Sequence, residues 1–377
     1  MRWDPYFMKN AEEFKVFWRD YLQTQNRNII YVLGKGFDSR MCSGLSEIIK
    51  LGGKGTRDCL LIEFDEGKDS PSMPYKSRVS DNYIFIEKLM KDKGNIISKT
   101  VKMWINDGNS SRRVTSRNSA NIFSNISDFK DYTDIIIDVS SVPRSIYFPL
   151  IGKILYLLDH SDVKQELNVH VVVSEDSNKD KKYRAVGIDD SASYVHGFSG
   201  DLDREATLEK PIVWIPVLGE NHGLQLEKIY NLIKSTNSLE ICPVLPSPSK
   251  NPRRSDDLLI EYRELFFDKW HIDPNNIIFA HEQNPFDVYR QILSTVLRYN
   301  RALKPLNGCK CVVSAESSKL LSLGALLSVY ELTELNESIS LAHVEAKGYE
   351  IIRPEEEAGV SNTKELFSIW LAGNCYK

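Results

Sequence analysis

Apolar positions along this chain fall into two kinds of run, and the two alternate. Phe14, Phe17, Trp18, Tyr21 and Leu22 recur at the three-and-four spacing of one helix face, which predicts a packing helix within the first 27 residues. The next run, NIIYVLGKGFDSRM, is continuous rather than periodic and stops at glycines; after a short helical stretch, TRDCLLIEFDEG repeats it. Continuous apolar runs separated by helical patterns predict parallel strands covered by helices. SRVSDNYIFIEKLMKDKG predicts another helix, and NDGNSSRRVTSRNSAN, residues 106 to 121, lacks any period and predicts a surface loop. A buried strand from Ile135 to Val139, a polar turn and a long apolar helix follow, and LNVHVVVSED is one more strand.

The series then starts again. PIVWIPVLGENHGLQLEKIYNLIK reads as strand, glycine turn and helix, and SLEICPVLPSPS as a strand. NPFDVYRQILSTVLRYNRAL predicts a helix entered at Pro285. CKCVVSAESSKLLSLGALLSVYEL gives strand, polar turn and apolar helix, and SISLAHVEAKG a final strand. The predicted class is α/β, with two Rossmann-like parallel-sheet units from an internal duplication and an N-terminal helix. The expected organisation is 1–27 helix, 28–176 first half, 177–209 connecting segment, 210–351 second half and 352–377 helical tail.

A fixed offset supports the duplication. PSMPYKSRVSDN begins at residue 71 and PSPSKNPRRSDD at 246, so Pro71, Ser72, Arg78, Ser80 and Asp81 align with Pro246, Ser247, Arg253, Ser255 and Asp256. The same offset pairs Arg144 with Lys319, each a cation where a buried strand gives way to an apolar helix.

Composition narrows the partners. A formal charge of -4 and 27% charged residues argue against an extended nucleic-acid surface, so any phosphate binding is local. No apolar run approaches membrane-spanning length, and the charged N-terminus does not resemble a signal peptide, so a cytoplasmic location is expected. The six cysteines make no paired Cys-x-x-Cys cluster, and no histidine has a histidine or cysteine partner at helical ligand spacing. Neither a metal nor a cofactor is expected. Cys309 and Cys311 read as small apolar strand residues, and His170 and His343 as core or edge residues of strands.

In an open parallel sheet, ligands sit beyond the carboxyl ends of the strands, where free helix N–H groups favour anions. The candidate binding residues are therefore those of the turns at that edge. They are Gly34, Lys35, Gly36, Arg78, Ser140, Ser141 and Arg144 in the first half, and Gly219, Glu220, Arg253, Ser317, Ser318 and Lys319 in the second. Arg254 could also reach a phosphate, whereas Asp81 and Asp256 read as caps or partners of the arginines. The serines also read as helix caps. GKGFDSR raises a dinucleotide reading, with Glu63 or Asp65 as ribose acceptor, but Ser39 stands where the third glycine belongs.

VVSAESSKLLSLGALLSVYEL resembles the strand, polar turn, lysine and apolar helix of CARF-type sensor domains, with Ser317 and Ser318 where those turns are richer in glycine and threonine. Two such units in one chain resemble the SAVED arrangement. The resemblance implies binding of a cyclic oligonucleotide or related nucleotide in bacterial antiviral defence, with a separate effector protein as partner. The leading expectation is a sensor holding a nucleotide-like anion in the cleft between pseudo-symmetric halves. Two rival readings remain open. One is a nucleotide or nucleoside hydrolase using carboxylates such as Asp38, Glu63, Asp65 or Glu220. The other is a scaffold subunit that docks through Phe14, Trp18 and Leu22.

Overall fold

The computed structural model describes residues 1–67, 70–107, 110–161, 166–176, 183–200, 210–234, 238–352 and 365–376. The chain divides into two compact units. The first comprises Trp3–Gly187 with Ala346–Lys377, and the second Met1–Arg2 with Ile188–Glu345.

The first unit starts with β1 (Phe7–Asn10) and α1 (Ala11–Thr24), then β2 (Ile29–Lys35), α2 (Ser43–Leu51), β3 (Arg57–Asp65), α3 (Lys76–Met90) and β4 (Ile96–Lys102). A hairpin of β5 (Trp104–Asp107) and β6 (Ser110–Arg113) precedes α4 (Thr115–Ala120), β7 (Asp134–Asp138), α5 (Arg144–Asp159) and β8 (Asn168–Glu175). β9 (Tyr183–Ile188) leads out of this unit.

The second unit holds β10 (Ser193–Tyr194), β11 (Ile212–Leu218), α6 (Gly223–Ile233), β12 (Leu239–Ile241), β13 (Val244–Pro246) and α7 (Arg254–Glu261). β14 (Ile278–Ala280), α8 (Pro285–Ala302), β15 (Lys310–Glu316), α9 (Lys319–Glu334) and β16 (Ile339–His343) complete it. β17 (Ala346–Ile351) and β18 (Glu365–Ala372) then return the chain to the first unit.

The first sheet runs β1-β18-β8-β7-β2-β3-β4 and the second β10-β16-β15-β11-β13-β14, with β12 beside β11. Within them, β8-β7-β2-β3-β4 and β16-β15-β11-β13-β14 have the same order, and all their pairings are parallel. In chain order each reads fifth, fourth, first, second, third, the doubly wound arrangement. The duplication is thus a repeated topology. It is tightest at α5 and α9, whose first residues, Arg144 and Lys319, and last residues, Asp159 and Glu334, keep the offset found in the sequence.

Three expectations need correction. Residues 365–372 form a strand rather than a helical tail; β18 lies between β1 and β8 and is buried along most of its length, so its apolar run is that of an internal strand. The rest of that expected tail, 353–364 and 377, lies outside the described residues. The segment 106–121 is not a plain loop, since the end of β5 and all of β6 and α4 fall within it; these elements are short and give no apolar period. The final strand is two strands, β16 in the second sheet and β17 paired with β9 as a two-stranded ribbon. β9 and β10 lie in the described part of residues 177–209.

Core packing explains the rest. In the first unit Phe14, Trp18, Tyr21 and Leu22 of α1 pack with Tyr31, Leu33 and Cys59 in one buried cluster, so this stripe is interior and not a scaffold's docking face. In the second unit Trp214, Leu226, Leu258 and Phe266 share a cluster between sheet and helices. Among the described residues no helix is long and apolar enough to cross a membrane.

Candidate functional site

A doubly wound sheet opens a crevice where neighbouring strands send their following segments to opposite faces. Here that point lies between β2 and β7 in the first unit and between β11 and β15 in the second. The predicted residues gather there, unit by unit. Gly34, Lys35 and Gly36 end β2 beside Ser140, Ser141 and Arg144, and Gly219 and Glu220 follow β11 beside Ser317, Ser318 and Lys319.

The glycines let the paired turns approach. A Cβ on Gly219 would lie 2.8 Å from the Glu316 carbonyl oxygen and 2.9 Å from Ser317 Cα. On Gly34 it would lie 2.5 Å from the tip of the Phe64 ring and 3.0 Å from Val142 Cγ2, whereas Gly36 has room, with nothing nearer than 3.8 Å. Close packing between turns therefore accounts for Gly34 and Gly219 before any ligand is invoked.

The serines differ in role. Ser140 is buried; its hydroxyl donates to Asp138 Oδ1 and accepts from the Ser174 N–H at 2.8 Å, while Tyr31 Oη donates to Asp138 Oδ2 at 2.7 Å. That network braces β7 against β2 and β8, so Ser140 is structural. Ser141 Oγ, by contrast, is buried and has no hydrogen-bond partner among the described residues. Ser317 Oγ donates to the Leu218 carbonyl at 2.7 Å and ties the turn to β11. Ser318 caps α9, accepting from the Leu321 N–H at 3.3 Å, whereas α5 begins after Pro143 with no side-chain cap. Arg144 and Lys319 occupy the first position of these two helices and are half-buried.

Other predicted groups are already engaged. Lys35 Nζ is 2.7 Å from Glu63 Oε1 and faces the Tyr83 ring, so each of the two charges already has a partner. Asp38 accepts from the Arg40 backbone N–H at 2.9 Å and pairs with its guanidinium at 2.7 Å, both residues being buried. Glu220 lies 3.5 Å from Arg254 Nε, and Arg254 also binds Glu282, which leaves its guanidinium held by two carboxylates. Arg253 is exposed at the N-cap of α7, and Asp256 lies in that helix's first turn. Arg78 is the third residue of α3 rather than a loop residue, and Asp81 lies inside the same helix, where it caps nothing.

The repeated loop has diverged. In the first unit it seats the ribbon: Tyr75 Oη accepts from the Ile351 N–H at 2.9 Å, Pro71 packs against Gly348, and Phe37 lies between Tyr75 and Tyr183 at centroid distances of 4.8 and 5.9 Å. Burial raises the Tyr183 phenol well above its ordinary value, the Asp38 charge adds to this, and Arg40 and Arg78 oppose it. In the second unit the loop is tied to the β14 end instead, through Ser247 N–H to the Ala280 carbonyl and Lys250 N–H to Glu282 Oε2, at 2.8 and 2.7 Å.

Two groupings escaped the sequence. Glu316, fully buried at the end of β15, has an oxygen 3.5 Å from Nδ1 of His343, a buried residue at the end of β16. The other lies at the opposite edge of the first sheet. There Tyr21 Oη donates to Asp134 at 2.5 Å, Arg27 is 3.7 Å from the same oxygen, and His170 is 3.8 Å away and ringed by Trp18, Tyr21 and Trp370. Burial, with the Arg27 charge second, pushes His170 down to about 3. Neither is visible in spacing, because the partners are far apart in sequence. Cys309 and Cys311 are buried as expected, with their sulfurs 3.6 Å apart.

No family model and no curated protein matches the chain. Among solved structures, a universal stress protein from Archaeoglobus fulgidus DSM 4304 is similar at a TM-score of 0.22 and 11% identity, covering 85% of this chain and 97% of that one. An uncharacterized protein from Mycobacterium Paratuberculosis is similar at 0.21 and 8%, covering 84% and 79%. At these scores neither likeness carries an argument, and the fold assignment rests on the sheets themselves.

Proposed function

We propose that the chain is a ligand-binding sensor that takes a nucleotide-like anion, of the cyclic oligonucleotide class, at its strand switch points. The carrying observation is the repetition of one element: a buried strand, a serine turn and a cation at the first position of a sixteen-residue helix, beside a glycine turn. A cation in the first turn opposes the helix dipole by about 0.3–1 kcal/mol, and its presence in both units is accounted for by a bound anion. The element occurs once in each unit, so an anionic group is expected at each switch point. On this reading the resemblance to CARF and SAVED sensors extends to function, in the cytoplasm, through a separate effector protein and in antiviral defence. Calorimetric titration with cyclic and linear oligonucleotides tests it; heat of binding from a cyclic member is expected, and silence from the whole panel contradicts it.

A second reading is nucleotide hydrolysis. It draws on Glu316 and His343, a carboxylate and an imidazole at the carboxyl ends of adjacent strands. Asp38, Glu63 and Glu220, which the sequence offered for that role, are held in ion pairs. Mass detection of a cleaved product after incubation with the same panel separates enzyme from sensor.

A further inference from the structure

β14 closes one side of the second sheet and, among the described residues, pairs only with β13. In that parallel ladder the Ile278 N–H donates to the Pro243 carbonyl and the Ala280 carbonyl accepts from the Ser247 N–H, both at 2.8 Å. Alternation turns the N–H and C=O of Phe279, between them, to the open side. Phe279 as a whole is 50% exposed. Beside this edge lies a groove of about 470 Å³, whose wall includes Asn275, Phe279, Gln291, Ser294 and Arg298.

Exposed strand edges are ordinarily guarded by charge. β4, the corresponding edge of the first sheet, carries Lys99 and Lys102, whereas β14 reads Ile278, Phe279, Ala280. Arg298 is the one charged residue lining the groove; its guanidinium lies 5.6 Å from the Tyr299 ring and meets no carboxylate among the described residues. An open edge with an apolar ring and a lone cation is complementary to an extended segment that supplies backbone partners and an acid.

We infer that the β14 edge is a docking site for an extended, acidic segment of a partner protein, which adds as a strand beside Phe279 and places a carboxylate on Arg298. A second copy fits less well. Its own β14 has no acid to offer, and edge-to-edge pairing by symmetry would bring the two Arg298 side chains to one interface. The inference is independent of what binds at the switch points.

The test uses the full chain, immobilised, against displayed random peptides of about twelve residues, long enough to span an edge strand. The best binder is then synthesised as a fluorescent probe for anisotropy. Enriched peptides are expected to carry Asp or Glu among alternating β-branched or aromatic residues. Phe279→Lys should weaken the probe about tenfold, and Arg298→Glu should weaken it until the probe's acid is changed to Lys. Both positions are at the surface, and unchanged thermal unfolding confirms that the variants fold. The proposal is overturned if no peptide is enriched, if the probe binds both variants as it binds the parent, or if sedimentation shows a dimer that Phe279→Lys separates.

Discussion

Gly219 and the Glu316 carbonyl meet so closely that a single added methyl group would lie 2.8 Å from the oxygen, at the point where the β11 and β15 turns converge. The contact is with backbone, which cannot rotate aside. Gly219→Ala should therefore cost about 1–3 kcal/mol of stability. At Gly34 the obstacle is the tip of the Phe64 ring together with Val142, both side chains, and Gly34→Ala should cost less. Chemical denaturation of the two variants checks the order; equal costs would mean that the second turn is looser than described.

The serines at the switch points should separate structure from binding. Ser318→Ala removes the cap of α9 and should cost about 1 kcal/mol. Ser140→Ala strips a donor from buried Asp138 and an acceptor from the Ser174 N–H, a loss of about 1–3 kcal/mol. Ser141→Ala should leave stability nearly unchanged, since its hydroxyl has no partner among the described residues, and should weaken ligand binding. Denaturation midpoints and calorimetry on the three variants distinguish these outcomes.

Much of this was legible in the sequence, and the exceptions have physical causes. Parallel strands buried on both faces announce themselves as unbroken apolar runs, and the offset between Arg144 and Lys319 survives intact in α5 and α9. β18 was missed because an internal strand added at the chain's end carries no turn or helix to reveal its register. The turns named from the sequence lie at one edge of each sheet, yet spacing does not show which charges are already spent. Lys35 finds Glu63 and Arg254 finds Glu220 and Glu282 only once the strands are laid side by side.

His170 predicts the acid limb of stability. Its folded value, about 3, is below the ordinary value of 6.5, so between these pH values the unfolded chain binds the extra proton. Stability contributed by the neutral imidazole is complete above pH 6.5 and is lost as pH falls toward 3, by up to about 5 kcal/mol. Asp134, raised by burial, works in the opposite direction as pH falls toward 3.8. Urea midpoints measured from pH 7 to 4 should decline less steeply in His170→Phe than in the parent chain; identical slopes would show that His170 is not the group responsible.

The ribbon should loosen when one of the bonds that hold it is removed. Tyr75→Phe leaves the Ile351 N–H without its acceptor and should speed hydrogen exchange in β17 while β2 and β7 stay protected. Uniform protection in both strands would contradict the described fastening.

The most direct measurement is calorimetric titration of the tightest cyclic oligonucleotide of the panel into the parent chain, Arg144→Ala and Lys319→Ala. The account predicts that each variant folds and loses about tenfold or more in affinity, because each removes a charge-assisted contact to phosphate. Parent-like affinity in both variants would contradict it.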